Sequence, residues 1–121
     1  MTEAQEQKAI FDWSRQPTVR GQYPELKLLH HIPNGGKRDA IEAKHLKAQG
    51  VKKGVPDLCL PVARGPYHGA YIELKTQTGR VRPEQTWWLE ELKAQGYYAV
   101  VCRGWREAVS ALTGYLDGVP L

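Results

Sequence analysis

Ala70-Tyr71-Ile72-Glu73-Leu74-Lys75 is the stretch on which the fold turns. Its residues alternate, and in a β-strand successive side chains point to opposite faces. Ala70, Ile72 and Leu74 share one face, and Tyr71, Glu73 and Lys75 the other. An alternating run of this kind reads as a strand laid on a core by its apolar face. Glu73 and Lys75 then point away from that core, with Cβ atoms roughly 7 Å apart. Upstream, Leu58-Cys59-Leu60-Pro61-Val62 is a second apolar run. The connection 63–69, with Gly65-Pro66 inside it, joins the two as an expected antiparallel pair.

Outward from this pair the chain alternates between helical and extended signals. Thr2 to about Ser14 reads as a helix, with Thr2 and Gln5 spaced as a capping box and Ile10 and Trp13 on its apolar stripe. Gln16-Pro17 ends it. A loop through Gly21 and Pro24 leads to an expected strand over Leu26–Ile32, broken by Pro33-Asn34-Gly35-Gly36. Residues 39–49 read as a polar, basic helix stopped by Gly50. Pro83 opens a helix running to about Gln95. Tyr97–Cys102 is a further strand, and Trp105, Ala108, Val109, Leu112 and Leu116 form the stripe of a last helix. The order predicts an α/β fold, a mixed β-sheet flanked by helices. At 121 residues without linker or repeat, the chain is expected to be a single domain over 1–121.

Composition narrows the class. A hydrophobic share of 41% with 25% charged residues excludes a disordered chain. No apolar run approaches the ~20 residues of a membrane helix, and the N-terminus lacks the apolar core of a signal peptide. Cys59 and Cys102 sit singly in apolar runs, as buried reduced thiols do, so a cytoplasmic location is expected. The net charge is +4, and residues 37–53 hold six basic against two acidic residues, an equal net charge. Such concentration attracts a polyanion, although a solvated lysine-rich helix face explains it as well.

Asp57 gives Glu73 and Lys75 a context. It follows Gly54-Val55-Pro56 and directly precedes the apolar run from Leu58, so a turn presents its carboxylate at a strand end. If the two strands pair, Asp57 meets Glu73 and Lys75. Two carboxylates with a lysine suit a hard divalent cation working on a phosphoryl group. Taken singly, Asp57 also reads as an ordinary turn residue, and Glu-x-Lys as a solvated strand face.

Val55-Pro56-Asp57, followed by Glu73-Leu74-Lys75, resembles the PD-(D/E)XK nuclease motif. Pro33-Asn34-Gly35-Gly36-x-Arg38, the run Gly50 to Leu58, Tyr71 to Thr76 and Arg82-Pro83-x-Gln85 resemble the VRR-NUC family, in the minimal stand-alone form found in bacteriophages. The likeness runs from Glu6 to about Leu116. It implies a PD-(D/E)XK (restriction-endonuclease-like) fold and phosphodiester hydrolysis with Mg²⁺ or Mn²⁺. Asp57, Glu73 and the Leu74 backbone carbonyl would be metal ligands, with Lys75 the catalytic lysine. The family also uses a first-helix glutamate. Glu6 is the best match, sharing the Ile10–Trp13 stripe where an unpaired carboxylate is costly, and Glu3 is the alternative. Gln85 lies on an inward stripe with Trp88, Leu89 and Leu92; it corresponds to a family glutamine that orients the site, or is an amide satisfied by backbone.

Asn34, Gly35, Gly36 and Arg38 suit close approach to a phosphate, and Lys44, Lys47, Lys52 and Lys53 suit DNA-backbone contacts. None of the four histidines has a ligand partner at useful spacing. Trp87 lies off its helix's apolar stripe, as an interface or DNA-facing residue would. The expected activity is a metal-dependent DNA endonuclease that is structure-selective, acting on four-way junctions or branched DNA as a homodimer. Two other classes are weighed. A non-catalytic nucleic-acid-binding domain, or a subunit active only in a complex, would be expected to lack one of Asp57, Glu73 and Lys75. A metal-free tRNA-splicing-type endonuclease on a related fold would rely on a Tyr/His/Lys set; Tyr71 and His68 stand near in sequence, but the intact carboxylate pair speaks for metal.

Overall fold

The structure, a computed structural model, describes residues 1–33 and 39–119. Helix α1 spans Glu3–Ser14 and starts at a reciprocal cap. The Gln5 N–H donates to Thr2 Oγ1 at 3.1 Å, and the Thr2 N–H donates to Gln5 Oε1 at 2.8 Å.

The segment after α1 differs from expectation. Pro17 opens a short helix, α2 (Pro17–Gln22), and Pro24 opens a 3-10 segment over Pro24–Leu28, leaving only His30–His31 as strand β1. A proline fits the first position of a helical turn, where its missing N–H is not needed. Leu26 and Leu29, three apart, are both buried, so the run read as a strand carries a helical spacing.

Helix α3 (Ala40–Ala48) starts at Asp39, whose carboxylate accepts the Glu42 N–H at 2.8 Å. Strand β2 is Leu58–Leu60 and stops before Pro61, which has no N–H to continue a ladder. Strand β3 is Ala70–Lys75, α4 is Pro83–Ala94, β4 is Tyr98–Arg103 and α5 is Trp105–Leu116.

The sheet order is β1-β2-β3-β4. β2 and β3 pair antiparallel, with Leu58 opposite Ile72 and Leu60 opposite Ala70, as the hairpin reading predicts. β3 and β4 run parallel from Ala70 opposite Tyr98 to Lys75 opposite Arg103, with α4 as the crossover. This is an α/β fold with a mixed four-stranded sheet. Ile10 of α1 and Ala108, Leu112 and Tyr115 of α5 cluster with Leu58, Leu60, Ala70, Ile72 and Leu74 of the sheet. Leu89 of α4 is buried outside that cluster, where α4 packs on β4. β3 is therefore an interior strand, and its charged end lies inside the molecule.

Candidate active site

The start of β2 and the end of β3 meet because the hairpin register brings them together. Asp57, one residue before β2, accepts the Leu74 N–H on Oδ2 at 2.8 Å. Its backbone carbonyl accepts the Ile32 N–H at 2.7 Å, and His31 Nδ1 lies 2.9 Å away, which requires the proton on Nδ1. Gly54 sets the turn before it. Gly54 has φ +92°, and a Cβ there would meet the Glu84 carbonyl oxygen at 2.7 Å, so the turn lies directly on the first turn of α4. The Trp88 indole N–H adds a second fastening at the Lys53 carbonyl, 3.0 Å away.

Glu73 is 1% exposed and Lys75 7% exposed. The solvated strand face that Glu-x-Lys taken singly would suggest is thus not what is found. Carboxylate oxygens of Glu3, Asp57 and Glu73 all lie within 4.8 Å of one another. Among the described residues Glu73 Oε1 is buried without a hydrogen-bond partner, while Oε2 lies 3.5 Å from the Gln85 side-chain Nε2. Gln85 is held in turn by the Arg82 N–H, which donates to its Oε1 at 2.9 Å. The Gln85 amide thus accepts a backbone N–H at one end and contacts a carboxylate at the other.

The electrostatics follow from this crowding. Burial, a hydrogen bond shared with Asp57 and the Asp57 charge push the Glu73 carboxyl up to about 9, against the opposing pull of Lys75. Burial and the charge of Asp57 raise Glu3, and Lys75 and Arg82 oppose them. Three acids this close favour a bound cation, and the unpartnered Glu73 oxygen has the character of an oxygen ligand.

Glu6, expected at this cluster, is not part of it. Its Oε2 accepts the Trp105 N–H at 2.5 Å and so caps the first turn of α5. The stripe reading placed Glu6 inward correctly, but its partner is a helix N-terminus. Glu3, one turn earlier, reaches the strand ends instead. Lys44, Lys47, Lys52 and Lys53 are exposed, and Asn34, Gly35, Gly36 and Arg38 lie outside the described residues. Trp87 is exposed and meets Trp88 edge-on. Burial pushes the Tyr71 hydroxyl up to about 12.

One residue of the site's surroundings had no signal in the sequence. Arg103 Nη1 donates to the carbonyls of Thr76 at 2.9 Å, Gln77 at 3.3 Å and Gly79 at 2.7 Å. It pins the loop that leaves the end of β3. A lone arginine at a strand end announces no such role, because its partners are carbonyls of a distant loop.

The VRR-NUC domain family matches residues 1–106. The chain belongs to the VRR-NUC family. A solved structure of a VRR_NUC domain protein is similar throughout, with a TM-score of 0.84 and 34% identity over 99% of this chain and 92% of that one. No curated protein matches the chain. VRR-NUC membership implies a nuclease-type function and DNA binding. Among the described residues no helix is long and apolar enough to cross a membrane.

Proposed function

We propose that this VRR-NUC chain is a metal-dependent DNA endonuclease whose site is Glu3, Asp57, Glu73, Lys75 and Gln85. The observation that carries the reading is the meeting of three carboxylates beside a buried lysine, with one Glu73 oxygen left without a partner. Glu3, Asp57 and Glu73 would hold Mg²⁺ or Mn²⁺, with the Leu74 carbonyl as a further oxygen donor. Such an ion supplies Lewis acidity, offsetting charge on the phosphate and making water a better nucleophile.

The chain's own groups have separable tasks. Asp57 is fixed by the Leu74 N–H, so one of its oxygens is committed to the hairpin and the other is free for the cluster. Gln85 Nε2, 3.5 Å from Glu73 Oε2, would help orient that carboxylate. Lys75 lies close enough to Glu73 and Glu3 to oppose the raised pKa of both. Its ammonium is placed to orient an attacking water or to offset charge building on phosphorus.

The substrate reading is branched DNA, four-way junctions included. A homodimer would present two sites related by a two-fold, suited to paired cuts on a branched DNA. Lys44, Lys47, Lys52 and Lys53, with Asn34, Gly35, Gly36 and Arg38, would contact the DNA backbone. A stand-alone protein of phage type would work in the cytoplasm of the bacterial host.

Cleavage of labelled single strand, duplex, flap and four-way junction with Mg²⁺, Mn²⁺ or EDTA, beside Asp57→Ala, tests the whole reading. Metal-dependent cutting that the variant lacks is the expected result, with the junction cut fastest. Cutting that survives in EDTA or in the variant refutes the metal site. DNA binding without cutting under either metal would favour the non-catalytic class.

A further inference from the structure

We propose that Arg80 and Arg82 form a clamp for a phosphate group of the DNA, seated beside the carboxylate cluster; the inference rests on the nuclease reading above. The other described arginines divide by what their side chains do. Arg20, Arg64 and Arg103 donate to backbone carbonyls. Arg15 and Arg106 lie over the rings of Phe11 and Trp105. Arg80 and Arg82 are exposed, and among the described residues their guanidinium groups make no hydrogen bond or ion pair. Together with Val81 and Pro83 they line a cavity of about 440 Å³.

Their position ties this cavity to the chemistry. Arg80 follows Lys75 by five residues, and Arg82 precedes Gln85 by three, so the pair lies between two site residues in the chain. The Arg82 N–H donates to Gln85 Oε1 at 2.9 Å, and Gln85 Nε2 lies 3.5 Å from Glu73 Oε2, which sets Arg82 at the edge of the carboxylate cluster. Glu84, the acid next in sequence, is turned toward Gly54.

The segment is also held at both ends. Arg103 fastens Thr76, Gln77 and Gly79, and the Arg82 N–H is fixed by Gln85. A phosphate meeting two arginines on a fastened loop meets donors whose backbone is already in place, which lowers the ordering cost of binding. The guanidinium fork matches two phosphate oxygens at once. A phosphate held there bears one to two negative charges, which the carboxylate cluster alone would repel. The same chemistry fits an internal phosphodiester or a terminal 5′-phosphate.

The test is equilibrium binding of fluorescent DNA to the whole protein in Ca²⁺, over a range of KCl, with and without a 5′-phosphate on the DNA. Wild type is compared with Arg80→Ala, Arg82→Ala, the double variant, and Arg106→Ala as a control arginine. The double variant is expected to raise Kd roughly ten-fold near ~0.1 M salt, and each arginine to lower the slope of log Kd against log[KCl] by about one. Thermal unfolding should not change, since among the described residues neither side chain has a partner to lose. Equal weakening on both DNAs assigns the clamp to an internal phosphodiester, and weakening only on phosphorylated DNA assigns it to the end; both support a phosphate site. Wild-type binding with unchanged Kd and slope in the double variant overturns the clamp alone. A wild-type protein that binds no DNA overturns the nuclease reading with it.

Discussion

Glu73 and Lys75 at the end of β3 are 1% and 7% exposed, while Lys44 and Lys47 on α3 stand in water on a helix that buries none of its residues. The β3 end is held by neighbours on several sides: the β2 ladder, the β4 ladder, Gln85 from α4 and Glu3 from α1. Helix α3 is held mainly by local devices, the Asp39 cap at one end and the Gly50 turn at the other. Charge that must act at one atom is buried and fixed, at the expense of desolvation. Charge that attracts a polyanion works at longer range and needs no fixed geometry. The two regions should therefore respond differently to the same kind of substitution.

The largest effect is expected at the buried end. Asp57→Ala or Lys75→Ala should lower single-turnover cleavage at least ~10³-fold, with DNA affinity changed only a few-fold. Quench-flow or gel assays with anisotropy binding check both halves. Cleavage at the wild-type rate in either variant would remove that residue from the site.

Glu3 and Glu6 sharpen the comparison within a single helix. Glu3→Gln should weaken metal-supported cleavage ~10- to 100-fold and raise the metal concentration needed. Glu6→Gln should stay within about three-fold, because an amide oxygen still accepts the Trp105 N–H. Glu6→Ala should instead show as a loss of about 1 kcal/mol in thermal or urea unfolding. If Glu6→Gln proves as damaging as Glu3→Gln, the separation of roles between them fails.

The pairing of β2 with β3 and the approach of Asp57 to Glu73 and Lys75 were legible because alternation and one Gly-Val-Pro-Asp turn specify them locally. The depth of Glu73 was not. Alternation gives a side chain's face but not what covers that face, and here α4 and the first turn of α1 cover it. The choice of Glu3 over Glu6 was hidden for the same reason. Both are acids on α1, and only the packing of α5 decides which meets a backbone N–H. The reading of 26–32 as a strand failed because Leu26 and Leu29 satisfy a helical spacing once Pro24 starts a turn.

Acidity should register the crowding of the buried end as well. Burial and the neighbouring Asp57 push the folded Glu73 carboxyl up to about 9 from the ordinary 4.5 of a glutamate, so between these values the folded state keeps a proton that the unfolded state has lost. Stability of the metal-free protein should therefore fall as pH rises through that window. Bound Mg²⁺ or Mn²⁺ should reverse the trend, since the ion replaces the proton and its affinity grows with pH. Calorimetric melting from about pH 5 to pH 9, with and without Mn²⁺, checks the sign. Glu73→Gln should flatten the metal-free curve, and a metal-free stability that rises across the window would refute the assignment.

The exposed region should answer most weakly. Lys52→Ala with Lys53→Ala removes two charges that face water beside a turn whose backbone is fixed through Trp88 and Gly54. The turn itself should survive, because the Trp88 N–H bonds to the Lys53 carbonyl and not to its side chain. Folding stability should thus move by no more than about 0.5 kcal/mol. The slope of log Kd against log[KCl] should fall by about two, while cleavage at saturating DNA stays near the wild-type rate. A changed saturating rate would mean that these lysines set geometry at the site, and the distinction between a fixed buried charge and a free exposed one would no longer hold for this protein.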